Sequence, residues 1–287
     1  MTTSAENRIP RWLVLASYPV AALVLILFFI FLGFPYNQLA VRIGQIVESR
    51  MDIQMRIGDL SPHVGLGGPG LAASQVVARM KGRQPVALER LVLRPGWSLS
   101  WFRAKPAIHL DITSELGDGS GTLTVGNDWG WDGTLEHVAL DLLPLDMLKA
   151  FALDGTLDAT IDLQRTSSDT GSEFVGMVEF DLRDGSFSTQ GIPLAIPFES
   201  LHGRLDFGGE AYISLSGVAL EGPLLDGTIE GSVGRAAPPA GQAISLDVAF
   251  RPRDEGLASL LRGIAGVGED GRSHLQISGT VAQPVVR

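Results

Sequence analysis

Leu153-Asp154-Gly155-Thr156-Leu157-Asp158-Ala159-Thr160-Ile161-Asp162-Leu163 decides the fold class. Leu153, Leu157, Ala159, Ile161 and Leu163 alternate with Asp154, Thr156, Asp158, Thr160 and Asp162. Successive side chains of an extended chain point to opposite faces, so this period of two predicts a strand with one buried and one wet face. Working outward, the same alternation recurs at Ile108, Leu110 and Ile112, at Val178, Phe180 and Leu182, at Ile244, Leu246, Val248 and Phe250, and at Leu275, Ile277 and Val281. A mainly β chain follows. Between Ile213 and Leu220 the apolar phase slips, from Ile213 and Leu215 to Val218 and Leu220, and Gly217 at the slip predicts a β-bulge or bend.

A weak repeat underlies the alternation: a glycine, a short step, then an apolar residue read as opening a strand. It occurs at Gly133, Gly155, Gly176, Gly203, Gly227 and Gly279, with the first four intervals roughly 21 to 27 residues. That spacing holds about two strands and two turns, as an antiparallel meander requires. The last interval is twice as long. It contains Pro238 and Pro239, one strand, and an expected helix in which Leu257, Leu260, Leu261 and Ile264 share a face behind Asp254 as N-cap.

The N-terminus is of a different kind. Leu13 to Phe34 is an apolar run without a charge, long enough in helical form to cross a hydrocarbon core of about 30 Å. A cleaved signal peptide has a shorter apolar core and a small-residue cleavage site, whereas this run exits through Phe34, Pro35 and Tyr36. Arg8 and Arg11 at its N-terminal edge predict a cytoplasmic tail, with Trp12 and Tyr36 at the two headgroup levels. Leu39, Ile43, Ile46 and Val47 then recur at helical spacing and predict an amphipathic helix. The expected organisation is a tail at 1–12, a transmembrane helix at 13–34, a connecting helix at 35–50 and a periplasmic β-domain at 51–287.

Charge narrows the function classes. The formal charge of −10 argues against nucleic acid, which calls for a basic face, and the absence of cysteine removes disulfides and thiolate chemistry. Basic residues concentrate at Arg79, Lys81, Arg83, Arg90, Arg94, Arg103 and Lys105, opposed only by Glu89. They read either as a section near an anionic lipid surface or as a solvated strand face.

Motifs for chemistry fail on their context. Gly65, Gly67 and Gly70 spell GxGxxG, but Pro69 lies inside the motif and no βαβ pattern surrounds it, so a turn is expected. His63, His109, His137, His202 and His274 show no paired metal-ligand spacing. Asp154, Asp158 and Asp162 are expected to line one face of a single strand, but neighbours four residues apart stand about 13 Å from one another, too far for a two-carboxylate mechanism, so a solvated outer face is expected. No catalytic residue, cofactor site or metal site is assigned, and the expectation is a protein that is not an enzyme.

One family resemblance runs along nearly the whole chain. The span ending in Phe34-Pro35-Tyr36, the amphipathic helix, and Ile57-Gly58-Asp59-Leu60-Ser61-Pro62 resemble the type II secretion system protein N family. Leu182-Arg183-Asp184-Gly185-Ser186-Phe187, Leu201 to Phe207, Leu220 to Thr228 and Ile277 to Pro284 are similar to the broader AsmA-like group. The resemblance implies an elongated, curved antiparallel sheet with a few short helices, anchored in the inner membrane of a Gram-negative envelope. It implies a non-enzymatic accessory role in type II secretion with other secretion components as partners, or alternatively an AsmA-like module that binds or transfers phospholipid. An unclosed sheet must cover its apolar face. The helix at Leu257 to Ile264 is the expected cover and is too short for the whole sheet, leaving an apolar groove with Leu157, Ile161, Val178 and Phe180 as its expected lining.

Overall fold

The computed structural model describes residues 11–51, 53–65, 68–80, 85–96, 107–124, 128–142, 151–168, 171–189, 192–208, 212–234, 241–254, 258, 266–267, 272–280 and 283–286. Helix α1 (Arg11–Gly33) leads into α2 (Tyr36–Met51). Strands β1 (Ile53–Gly65), β2 (Gly68–Met80), β3 (Val86–Pro95), β4 (Ala107–Ser114), β5 (Gly117–Thr124) and β6 (Trp129–Ala139) follow. A short 3-10 turn (Leu140–Leu142) precedes β7 (Phe151–Leu153), β8 (Thr156–Ser168), β9 (Gly171–Thr189), β10 (Ile192–Phe207), β11 (Ile213–Glu221) and β12 (Leu225–Val233). The chain closes with β13 (Ala243–Pro252), β14 (Gly266–Val267), β15 (Ser273–Thr280) and β16 (Gln283–Val286).

All sixteen strands belong to one antiparallel sheet, and sequential strands are neighbours along nearly all of it. The strand order is a path with two ends, so the sheet is open. Short connections between consecutive alternating segments produce this meander directly, because two antiparallel strands need only a tight turn between them. Gly65 pairs with Gly68 to close the β1–β2 hairpin, which makes the glycine motif around Gly65 and Gly70 a hairpin turn.

The stretch Leu153 to Leu163 is not one strand. It breaks at Asp154-Gly155, where Gly155 takes a φ of +126°, and both pieces, β7 and β8, pair with β9. Asp154 therefore leaves the row of Asp158 and Asp162; its carboxylate accepts from the Ser186 amide and, at 3.0 Å, from the Ser186 hydroxyl. Alternation alone did not register the break, because a glycine that supplies a left-handed φ leaves the apolar pattern intact around it.

The repeated glycines also differ from expectation. Gly155 does precede a strand, but Gly133, Gly176, Gly203, Gly227 and Gly279 lie inside strands. Their role is close approach: a Cβ on Gly203 would stand 2.6 Å from Cγ2 of Val218 on the next strand. The bulge at Gly217 falls where the phase slips, with φ +59° and a register shift between Leu215 and Val218. Gln75, His137 and Asp184 adopt positive φ as well. At each the apolar phase changes and the same face stays apolar.

Among the described residues two apolar clusters form. One gathers Leu140, Leu182, Ile196, Phe198, Leu220, Leu225 and Phe250. The other joins Ala40 of α2 to Leu60, Ala73 and Val76, with Tyr36 and Leu39 packed against it. Helix α2 is thus a cover for the sheet, a role the sequence reading gave only to the segment Leu257 to Ile264. That segment, apart from Ala258, lies outside the described residues; at its start the Ala258 amide donates to the Asp254 carbonyl at 2.9 Å. Leu39 of the expected apolar face packs on the sheet, and the small residues Ala40 and Gly44 set how close the helix comes. A Cβ on buried Gly44 would stand 2.8 Å from the Met55 carbonyl oxygen, so only glycine lets the helix come this near to β1.

Candidate functional site

The four residues expected to line a groove share one face of β8 and β9. Ile161 stands directly opposite Val178, Ala159 opposite Phe180, and Leu157 opposite Leu182. All four are half-buried, while Leu182, which was not named among them, is 2 % exposed and sits in the first apolar cluster. Burial deepens toward Leu182 because Phe187, beyond the phase change at Asp184, and its β10 neighbours Ile196 and Phe198 pack into the same cluster.

Following register partners from Ile161 in both directions gives the principal feature of the molecule. Toward the N-terminal edge the opposed residues are Gly133, Gly121, Leu110, Leu93, Leu71 and Pro62. Toward the C-terminal edge they are Val178, Leu205, Leu215, Gly231, Leu246 and Ile277. The row crosses the sheet from β1 to β15 and holds no residue with a polar side chain. Its glycines are partly filled by neighbours: Cζ2 of Trp131 lies 2.6 Å from where a Cβ on Gly121 would be and 3.1 Å from that of Gly133, so the indole covers both. An aromatic laid across strand glycines restores apolar surface that those residues cannot supply.

The opposite face is charged, and several of its charges form ion pairs. Arg183 pairs with Asp181 and approaches Asp158 at 4.0 Å; Arg204 bridges Asp206 at 2.7 Å and Glu179 at 3.6 Å. The Asp181 hydrogen bond and charge raise the Arg183 pKa further above its ordinary value, so it is a fixed cation. His109 hydrogen-bonds Thr122 at 3.1 Å and approaches Asp111, which also pairs with Arg94. Among the described residues no group of three or more His, Cys, Asp or Glu side chains is arranged to hold a metal ion.

Of the basic section, Arg79 and Arg90 are exposed, and Arg94 lies on the charged face, since its strand neighbours Leu93 and Pro95 point to the apolar one. Lys81, Arg83, Arg103 and Lys105 lie outside the described residues. A polar hollow of about 370 Å³ lies between Asp226, Arg251, Arg253 and Arg272, and in it Arg253 Nε donates to Asp226 at 2.8 Å.

At the other end of the molecule α1 and α2 meet at Pro35. Tyr18, Leu23, Leu25, Ile26, Phe28, Phe29 and Ile30 of α1 are exposed. Taken over the fully described positions, no single helix is long and apolar enough to cross a membrane; the apolar stretches Ala21–Phe31 and Tyr36–Arg42 meet at a bend of 61°. Tyr36, expected at a headgroup level, is turned back, and its hydroxyl donates to the Phe31 carbonyl. Compared with protein-family models, with curated proteins and with solved structures, the chain matches none.

Proposed function

We propose that this chain is a single-pass inner-membrane protein whose sheet works in the periplasm as a non-enzymatic accessory of type II secretion, contacting other envelope components. The observation that carries the reading is the coupling of an exposed apolar helix to an open sheet through α2. The 23 residues of α1 extend about 35 Å at about 1.5 Å each, against about 30 Å of hydrocarbon. Its exposed phenylalanines and leucines are stable in lipid and costly in water. The resemblance of Phe34-Pro35-Tyr36 and Ile57 to Pro62 to the protein N family supports the secretion assignment, and an elongated, curved sheet goes with it.

The test is topological and then functional. A reporter active only in the periplasm, appended to the C-terminus, should be active and should stay with membranes through carbonate washing. Site-specific crosslinkers on exposed β1 positions such as Gln54 should then capture secretion components in intact cells. Release of the protein into the soluble periplasm contradicts the anchor, and normal secretion in cells lacking the protein contradicts the secretion role.

A second reading, an AsmA-like module that binds or transfers phospholipid, is favoured by the unbroken apolar row from Pro62 to Ile277. Native mass spectrometry of the full chain discriminates. Phospholipid that co-purifies, and is lost in Ile161→Asp, supports the lipid module; a lipid-free protein that still captures secretion components supports the first reading.

A further inference from the structure

The junction between the two helices and the sheet forms an open hollow of about 580 Å³. Ile30, Phe31 and Phe34 wall it from the anchor side, Leu39 from α2, and Leu71 and Ile108 from the sheet. Its size falls in the range of about 300–1,000 Å³ typical of ligand pockets. Tyr36 and Arg94 are the polar side chains of its lining, and the Tyr36 hydroxyl is engaged by the Phe31 carbonyl and the Arg94 guanidinium by Asp111. The rest of the wall is apolar, which makes water a poor occupant, since an ordered water needs two or more polar partners.

We infer that this cavity holds an acyl chain of a bilayer phospholipid, which enters along the lipid-facing flank of α1 and wedges between the anchor and the sheet. The inference rests on the reading of α1 as a membrane helix. Continuity of surface identifies the occupant. A second apolar hollow, of about 540 Å³, runs along α1 past Ile26, Phe29, Ile30 and Phe34, and it shares Ile30 and Phe34 with the cavity. A chain lying against exposed Phe29 in the bilayer therefore reaches Leu71 and Ile108 without crossing a polar surface.

The bend is built to keep this wedge open. Pro35 forces α2 away from the axis of α1, and Phe31, Phe34 and Tyr36 stack edge to face around the corner, with ring centroids 6.2 Å apart for Phe31–Tyr36 and 5.4 Å for Phe34–Tyr36. Helix α2 is held against β1 by Gly44 and Ala40 further along, so it does not slide back to fill the space.

The test uses the full chain in nanodiscs of phosphatidylethanolamine and phosphatidylglycerol, a fraction of which carries a diazirine on the acyl chain. After irradiation, adducts should map to Leu71 and Ile108 as well as to α1. Ile108→Trp fills the cavity and should lower the sheet adducts by about tenfold while leaving those on α1 unchanged, as steric exclusion predicts. Circular dichroism must show the parental strand signal. Should that variant misfold, Ile30→Trp blocks the same cavity from the exposed helix side. Adducts confined to α1 overturn the inference and leave the membrane anchor standing; absence of adducts on α1 as well overturns both. Crosslinks joining two copies of the chain through Ile108 overturn it in favour of a second copy.

Discussion

The Tyr36 hydroxyl donates to the carbonyl of Phe31, the carbonyl that an uninterrupted helix would pair with the amide of residue 35. Residue 35 is proline and has no amide to give. A side chain thus supplies the donor that the backbone lacks, and the same bond fixes the corner between α1 and α2. Tyr36→Phe removes it and leaves the carbonyl to water or lipid. The expected cost is about 1–3 kcal/mol, read as a lower midpoint in thermal unfolding of the detergent-solubilised protein. An unchanged midpoint would show that the corner is held by packing alone.

Tyr36 also carries a pH signature. Burial raises the Tyr36 pKa above its ordinary 10.0, so the folded state retains the phenolic proton at pH values where the unfolded chain loses it. The contribution is fully present below pH 10 and declines as pH rises through the folded value. Between pH 7 and 9 the stability margin of the parent over Tyr36→Phe should be constant, and it should shrink only at alkaline pH, where the variant lacks the decline. A difference between parent and variant that changes across pH 7–9 would contradict this assignment.

Gly44 sets the distance between α2 and β1. Gly44→Val places atoms against the Met55 carbonyl, with an expected loss of about 1–3 kcal/mol and faster proteolysis of the α2–β1 connection. Gln45→Ala, on an exposed position of the same helix, should stay within about 0.5 kcal/mol. Equal sensitivity at the two positions would mean that α2 is not docked.

Trp131 covers Gly121 and Gly133, and Trp131→Ala uncovers both. About 2 kcal/mol of stability should be lost, less than for a fully buried tryptophan because Trp131 is only half-buried. Chemical denaturation followed through the remaining tryptophans measures it. Gly133→Val should destabilise as well, since its side chain meets the indole and the neighbouring strand.

Gly217 offers a test of backbone conformation alone. It has φ +59°, and nothing lies within 4 Å of where its Cβ would be. Gly217→Val should cost about 1–2 kcal/mol through conformation, whereas Gly217→Asn, which tolerates the left-handed region, should cost clearly less. Equal costs would indicate that space, not φ, holds glycine there.

Strand character and the antiparallel order were legible in the sequence, because a period of two leaves the same trace wherever a sheet has one apolar face. The slip at Gly217 was legible too, since apolar residues flanked it on both sides. The row from Pro62 to Ile277 was not, because it depends on register, and a one-residue shift in any pair would have moved a whole strand to the other face. Only the tertiary structure decided the break at Asp154-Gly155, the cover by α2 and the cavity at the Pro35 corner. Each rests on glycine, alanine or proline, whose meaning lies in how closely another backbone approaches, and a linear pattern of hydrophobicity carries no record of that distance.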